Sequence, residues 1–411
     1  MIRNHSVKIG FLVEEFFDEK FRGFGGYGMT VKYIAEHFNV ANSKLKADVI
    51  LMYPLDIASP QQSSAHNADV VMMPKRMPDT GKDFRNYARL IHEKRPDVFI
   101  AVDHFQSYEY PLMAFPNIPW VIWLKDPRDE VKFRKYATVS LQLKAWGYEG
   151  PDEVVERSHR TLNSFRLVLK RSRMFGRKVC FAAESKDFIP IGKRLYGLKD
   201  LNPAILSKPI PLPKMEGPEY AEKPLFLFMA RLDPVKRPWI FCELAKRFKD
   251  ADFVVAGKVN NPEIMEEVLA KYKDVPNLKF LGGVFGVEKD ALFRRIWALV
   301  NTSVHEGLPV TMVEAFSYGK TSIASGNLDG IAERFGFYTG EMTGDGYDSA
   351  TLDRYSEPIE KIINGQLDRE SLFREARRYV QEVHSFEKFE QTVRDIVSTN
   401  RYDGNFTLED K

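Results

Sequence analysis

The sequence predicts an α/β protein built from two doubly wound, mostly parallel sheets, and three observations carry that expectation. Short apolar, β-branched runs alternate with longer helical patterns along the whole chain. Such alternation marks a parallel sheet covered on both faces. The alternation falls into two series, separated by a proline-rich stretch. The length, 411 residues, exceeds what one ordinary core holds and suits two domains of roughly 200 residues.

In the first series the expected strands are 7–13, 48–53, 70–73, 98–102, 120–124 and 179–183, with helical patterns such as 29–38 between them. The second series begins after Pro224, with strands at 225–230, 253–256, 278–281, 298–301 and 321–324 and helices such as 238–249 and 262–272. Between the series stand Pro209, Pro211, Pro213, Pro218 and Pro224. Proline lacks an N–H and fixes φ, so this density excludes both helix interior and central strand and reads as an extended linker. The expected division is 1–207 for the first domain, 208–224 for the linker and 225–384 for the second domain. An amphipathic helix over 386–397, within a final segment 385–411, is expected to return and brace the first domain.

Hydrophobic residues make up 44% and charged residues 28%, near the average for soluble globular chains, so both halves can bury a core. A net charge of +3 gives no reason to expect nucleic acid as a partner. Cys180 and Cys242 lie far apart in apolar stretches without metal-ligand spacing and read as core residues in a reducing compartment. No apolar run approaches the length of a membrane span. The expected class is a soluble cytoplasmic protein.

The strongest chemical signal is His305-Glu306-Gly307-Leu308-Pro309-Val310-Thr311-Met312-Val313-Glu314-Ala315-Phe316-Ser317-Tyr318-Gly319. Pro309 suits a helix start and Gly319 its end. The backbone N–H groups around Leu308 to Val310 therefore sit at a helix N-terminus, which favours an anion. Glu306 precedes the helix and Glu314 lies about a turn into it, so two carboxylates and a cluster of amides converge at the carboxyl end of a strand. Ligands of open α/β sheets bind there.

Two glutamates separated by seven residues within Glu-Gly-Leu-Pro…Glu-Ala…Gly resemble the signature of the retaining family 4 (group 1) glycosyltransferases. The resemblance implies a GT-B architecture of two Rossmann-like domains facing across a cleft. It also implies that Glu314 binds the donor ribose hydroxyls and that Glu306 lies against the transferred sugar. A second match follows strand 225–230, where Arg231 and Lys236 fill the family's two cationic positions on the donor diphosphate. A departing nucleoside diphosphate gains charge that fixed cations and a helix N-terminus stabilise. Gly25-Gly26-Tyr27-Gly28 resembles the family's glycine-rich loop, with Gly26 near the diphosphate. The 280–284 segment resembles its nucleobase contact, and Gly330-Ile331-Ala332-Glu333 a turn after its last core strand.

The first domain departs from the pattern. The family's histidine–aspartate pair after a core strand is here Lys125-Asp126. An ammonium only donates hydrogen bonds, so Lys125 is expected to pair with Asp126, to meet a phosphate or sugar carboxylate, or to face solvent. His104, after strand 98–102, is a structural histidine or one that approaches the acceptor. Two other patterns are set aside. Gly23, Gly25 and Gly28 satisfy the dinucleotide spacing but begin about ten residues after the strand, where a tight turn is required. Asp250-Ala251-Asp252 precedes its strand, the wrong end of a parallel sheet for a metal.

From Arg157 to Lys178 there are eight basic residues (Arg157, Arg160, Arg166, Lys170, Arg171, Arg173, Arg177 and Lys178) and no acid, interleaved with Phe165, Leu167, Val168 and Leu169. The segment is either a solvated helix face or a surface for an anionic membrane or phosphorylated acceptor. The resemblance thus implies a retaining, metal-independent hexosyltransferase with Glu306, Lys125 and Asp126 in catalytic positions and Arg231, Lys236, Glu314, Gly307, Leu308 and Gly26 on the donor. No cofactor is implied beyond the nucleotide-diphosphate sugar itself, UDP- or GDP-linked foremost. The implied acceptor is a glycan or lipid-linked hydroxyl in cell-surface polysaccharide or glycolipid synthesis, at the cytoplasmic side of the membrane. The alternative is a catalytically silent protein of the same fold that binds a glycan or nucleotide as a scaffold.

Overall fold

A computed structural model describes residues 6–18, 21, 25–40, 43–55, 57–74, 81–398 and 405–409. The chain forms two compact units, one of Met1–Asp129, Arg157–Ile210 and His384–Lys411, the other of Glu130–Glu156 and Pro211–Val383. Residues 130–156 thus belong to the second unit, although they precede the proline-rich stretch. Packing explains this: Phe133, Tyr136, Val139 and Val154 are buried in one cluster with Phe226, Trp239 and Phe241.

The first unit holds an eight-stranded sheet in the order Gln61–Ala65, Ala68–Pro74, Leu45–Leu55, Val7–Val13, Val98–Val102, Trp120–Leu124, Val179–Ala183, Ala204–Ile205. Neighbours pair in parallel except Gln61–Ala65, which runs antiparallel to Ala68–Pro74. The central strands Val98–Val102, Trp120–Leu124 and Val179–Ala183 are buried at every position, which is why they read as unbroken apolar runs. Gln61–Ala65 is polar and half exposed. It gives no apolar signal, and it forms because its neighbour supplies hydrogen-bond partners. Helix Phe386–Ser398 buries Phe389, Val393 and Ile396 in the same core as Val31, Ile34 and Phe38 of helix Gly26–Phe38. His37 stacks on Phe386 with ring centroids 3.8 Å apart.

The second unit holds six parallel strands in the order Leu278–Gly282, Asp252–Ala256, Leu225–Met229, Ala298–Asn301, Thr321–Ala324, Gly336–Tyr338. No helix or strand lies between Ile205 and Leu225. Both units are therefore Rossmann-like, as the sequence predicted. Each sheet has a point where the strand order reverses: between Val7–Val13 and Val98–Val102 in the first, between Leu225–Met229 and Ala298–Asn301 in the second. The crevice outside the carboxyl ends of two such strands is the ligand site of open α/β sheets, because successive connections leave on opposite faces there.

Candidate functional site

At the reversal point of the second sheet, the turn after Leu225–Met229 meets the loop after Ala298–Asn301. Thr302 Oγ1 donates to the carbonyls of Lys236 and Arg237 at 2.8 and 3.0 Å. Arg237 is buried with φ +47°, and its guanidinium donates to the carbonyls of Thr302 at 2.8 Å and Gly344 at 3.0 Å. These bonds hold the Lys236 backbone against the second loop. Lys236 Nζ then donates to both carboxylate oxygens of Glu306 at 2.7 Å. Glu306 also accepts from Ser303 Oγ at 2.5 Å and Asn301 Nδ2 at 3.2 Å. Burial alone would raise its carboxyl, but Lys236, Ser303 and Asn301 overcome that and hold it below the usual carboxylate range. No motif marks Asn301 or Ser303 as site residues. Their signal was available, since both lie within five residues of Glu306 at a strand end.

Arg231 is more open: its side chain is 36% exposed and its Nε lies 3.6 Å from Asp233. Helix Val310–Ser317 starts after Pro309, with Leu308 buried and Gly307 partly buried in the preceding loop. Gly319 closes it in the left-handed region, φ +68°, where a Cβ would also stand 2.8 Å from Phe373 Cα. Both reasons demand glycine. Glu314 is buried on this helix and accepts from Lys289 Nζ at 2.7 Å. Lys289 comes from helix Gly286–Arg295, which follows the 280–284 segment. Nothing in the sequence linked it to Glu314, 25 residues away. Lys289 therefore fixes the orientation of the Glu314 carboxylate. Lys289→Met is expected to raise the KM of whatever ligand the Glu314 carboxylate holds about three- to tenfold with little change in kcat, the signature of lost uniform binding. Lys289→Arg should recover most of it. Unchanged KM in the methionine variant would leave the pair a purely structural one.

The other expected site residues lie in the first unit. Lys125 does not pair with Asp126, nor does it face solvent: its side chain is 2% exposed and its Nζ donates to Glu184 at 2.7 Å and to Thr30 at 3.2 Å. Lys208 Nζ reaches the other Glu184 oxygen at 3.3 Å. Burial would raise the Glu184 carboxyl, but the two ammonium groups hold it below its usual range. This corrects the expectation that Lys125 meets a phosphate or a sugar carboxylate; its charge is spent on an internal carboxylate. Asp126 is buried and accepts from Arg128 Nε at 2.9 Å. The Lys125 and Asp126 N–H groups both donate to Asp103, at 3.0 and 2.9 Å, and the Tyr27 hydroxyl donates to it as well. Burial pushes the Asp103 carboxyl up to about 6. Gly26 opens its helix, and the next two amides, Tyr27 and Gly28, donate to Glu15 Oε1 at 3.0 and 3.2 Å. Neighbouring Glu14 accepts from Ser107 Oγ at 3.0 Å, and burial raises it to about 7. Glu14, Glu15 and Asp103, which no motif announces, thus gather with Tyr27 of the glycine-rich loop at the reversal point of the first sheet. His104 is a core histidine: it is buried beside Trp120 and Phe165, with Nε2 2.9 Å from Ser164 Oγ, and burial lowers it to about 3. Gly23 lies outside the described residues. Among the described residues no three His, Cys, Asp or Glu side chains cluster so as to hold a metal ion.

Residues 214–379 match the family model described as glycosyl transferases group 1. That stretch carries the group 1 glycosyl transferase pattern. It contains Arg231, Lys236, Lys289, Glu306 and Glu314, and the resemblance read from the glutamate pair is borne out. No curated protein matches the chain in sequence. Solved structures match its fold over nearly the full length. HepE of Anabaena, in complex with UDP and glucose, is 15% identical over 96% of this chain and 100% of its own, with a TM-score of 0.63. A sucrose-phosphate synthase from Thermosynechococcus elongatus is 14% identical over 95% and 99%, with a TM-score of 0.66. The lipopolysaccharide outer core galactosyltransferase WaaB is 15% identical over 95% and 99%, with a TM-score of 0.57. These are proteins of the GT-B fold, the class expected for this chain.

Proposed function

We propose that this protein is a retaining, metal-independent hexosyltransferase that takes a UDP- or GDP-linked sugar and transfers the hexosyl unit to a hydroxyl of a glycan or lipid-linked acceptor. The observation that carries the proposal is the Glu306 carboxylate, ionised and held by Lys236, Ser303 and Asn301 at the sheet's reversal point. In this reading Lys236 and Arg231 face the diphosphate, Glu306 the sugar, and Glu314 the ribose. Gly307 and Leu308 lie at the helix start beside the phosphates. The acceptor oxygen bonds to the anomeric carbon as the bond from that carbon to the phosphate oxygen breaks on the same face. The electron pair stays on the diphosphate, where the two cations and the helix N-terminus stabilise it. The acceptor proton passes to the departing phosphate oxygen, so no covalent carboxylate nucleophile is needed. Acceptor recognition falls to the first unit, where Tyr27, Asp103 and Asp126 gather. The buried thiols Cys180 and Cys242 suit a cytoplasmic site of action.

The test is donor turnover by the purified protein. A screen of UDP-, GDP-, ADP- and dTDP-sugars should raise the melting temperature with one nucleotide class, since ligand at a hundred times Kd adds about 2.7 kcal/mol. Saturating EDTA should leave turnover nearly unchanged, because fixed cations occupy the role of a divalent ion. Loss of activity with EDTA and rescue by manganese would overturn the metal-independent step. A nucleotide-induced shift with no hydrolysis or transfer at all would favour the scaffold reading.

A further inference from the structure

Helix Pro151–Met174 buries Val154, Val155, Phe165, Val168 and Leu169 against the protein. Of the apolar residues interleaved with its basic run, only Leu167 faces out, 49% exposed, and it is joined by Met174 at 76% and Phe175 at 49%. Leu167 and Met174 are seven residues apart, about two turns, so they lie within roughly 20° of each other around the axis. Lys170 and Arg171 fall between them along the axis, about 60° and 40° to either side of Leu167, and Arg173 lies about 100° round from Met174, all exposed. The acids Asp152, Glu153 and Glu156 are confined to the start of the helix, and the next acid along the chain is Glu184. Acids first and bases last complement the helix dipole, which accounts for some of this charge. It gives no reason for Leu167 and Met174 to stand in water on one stripe, or for Phe175 to stand exposed just past the helix end, where the Arg171 guanidinium lies over its ring. Apolar tips ringed by cations are what an anionic bilayer interface takes: the cations meet phosphate headgroups while the apolar tips enter the acyl boundary.

We propose that this face docks the protein on an anionic lipid bilayer, with Lys170, Arg171 and Arg173 at the headgroups and Leu167, Met174 and Phe175 inserted below them. Among the described residues no helix is long and apolar enough to cross a membrane, and docking of this kind is peripheral and reversible. It goes beyond the donor-site reading and does not depend on it, because the readout is partition and not turnover.

The experiment is co-sedimentation of the full chain with phosphatidylcholine vesicles, with and without one-third phosphatidylglycerol, at low and physiological salt. The protein should pellet with the anionic vesicles only, and less so as salt rises. Lys170→Glu with Arg171→Glu should weaken partition by at least about fivefold per charge removed. Met174→Ser with Phe175→Ser should keep the low-salt binding but lose about tenfold at physiological salt, where insertion carries more of the affinity than charge. All four positions are exposed, so folding is undisturbed. Protein that stays in the supernatant with anionic vesicles at low salt overturns the proposal. So does full competition by free glycerol phosphate, which would make the face a site for a soluble anion. Serine variants that partition like the parent would overturn the insertion.

Discussion

Lys236→Ala is expected to lower turnover of the nucleotide-sugar donor by at least about tenfold, a loss of roughly 1.4 kcal/mol of transition-state stabilisation. Two effects combine. In the proposed reading the leaving diphosphate loses a cation, and Glu306 loses the donor that contacts both its oxygens. The carboxylate keeps only Ser303 and Asn301, so its pKa rises and it protonates more readily. Arg231→Ala removes a more open cation and should slow turnover comparably without touching Glu306. The stability cost of Lys236→Ala should be modest, about 1–2 kcal/mol, because the pair is partly exposed and solvent screens it. A second variant separates the effects. Lys236→Met combined with Glu306→Gln removes both charges, so it should recover the melting temperature but not the activity. Full turnover in both Lys236→Ala and Arg231→Ala would remove the basis for placing a diphosphate at this site.

The second large effect lies in the first unit. Glu184→Ala leaves Lys125 and Lys208 buried without their shared carboxylate. Breaking a buried pair by removing one partner costs about 3–5 kcal/mol, since an uncompensated charge remains in low dielectric. For a unit of this size that is a fall in melting temperature on the order of 10 °C. Lys125→Met should cost less, because Lys208 still neutralises Glu184, and it should leave donor hydrolysis intact below the melting transition. A fold-competent Lys125→Met that no longer hydrolyses donor would return Lys125 to the chemistry. The pH dependence has a definite sign. The folded Glu184 carboxyl titrates below its unfolded value, so its contribution is present above about pH 4.5 and is lost as pH falls below it.

Buried parallel strands were easy to read, because covering both faces forces continuous apolar runs such as Trp120–Leu124. The polar edge strand Gln61–Ala65 and the short strands Leu198–Leu201 and Gly336–Tyr338 were not, because pairing with a neighbour, not composition, makes them strands. Residues 130–156 escaped for a related reason: their buried side chains belong to the second core, and packing partners are not adjacent in sequence. The residues of the proposed donor site are a mixed case. Glu306, Glu314, Arg231 and Lys236 stood out because their chemistry is local, a helix start and two strand ends. Lys289 did not, since it reaches Glu314 from a separate helix.

What the sequence by itself determined is the two-sheet architecture, the helix that Pro309 and Gly319 delimit, and the residues that carry charge beside it. Periodicity, proline and glycine act over a few residues, so a linear reading captures them. Only the tertiary structure decided what those charges meet. It turned Lys125 inward to Glu184, set Lys236 on Glu306, assembled Asp103, Tyr27 and Glu15 where the first sheet reverses, and left Leu167, Met174 and Phe175 outside. Each outcome depends on which strand lies beside which and which helix face finds cover, and both are settled by long-range packing.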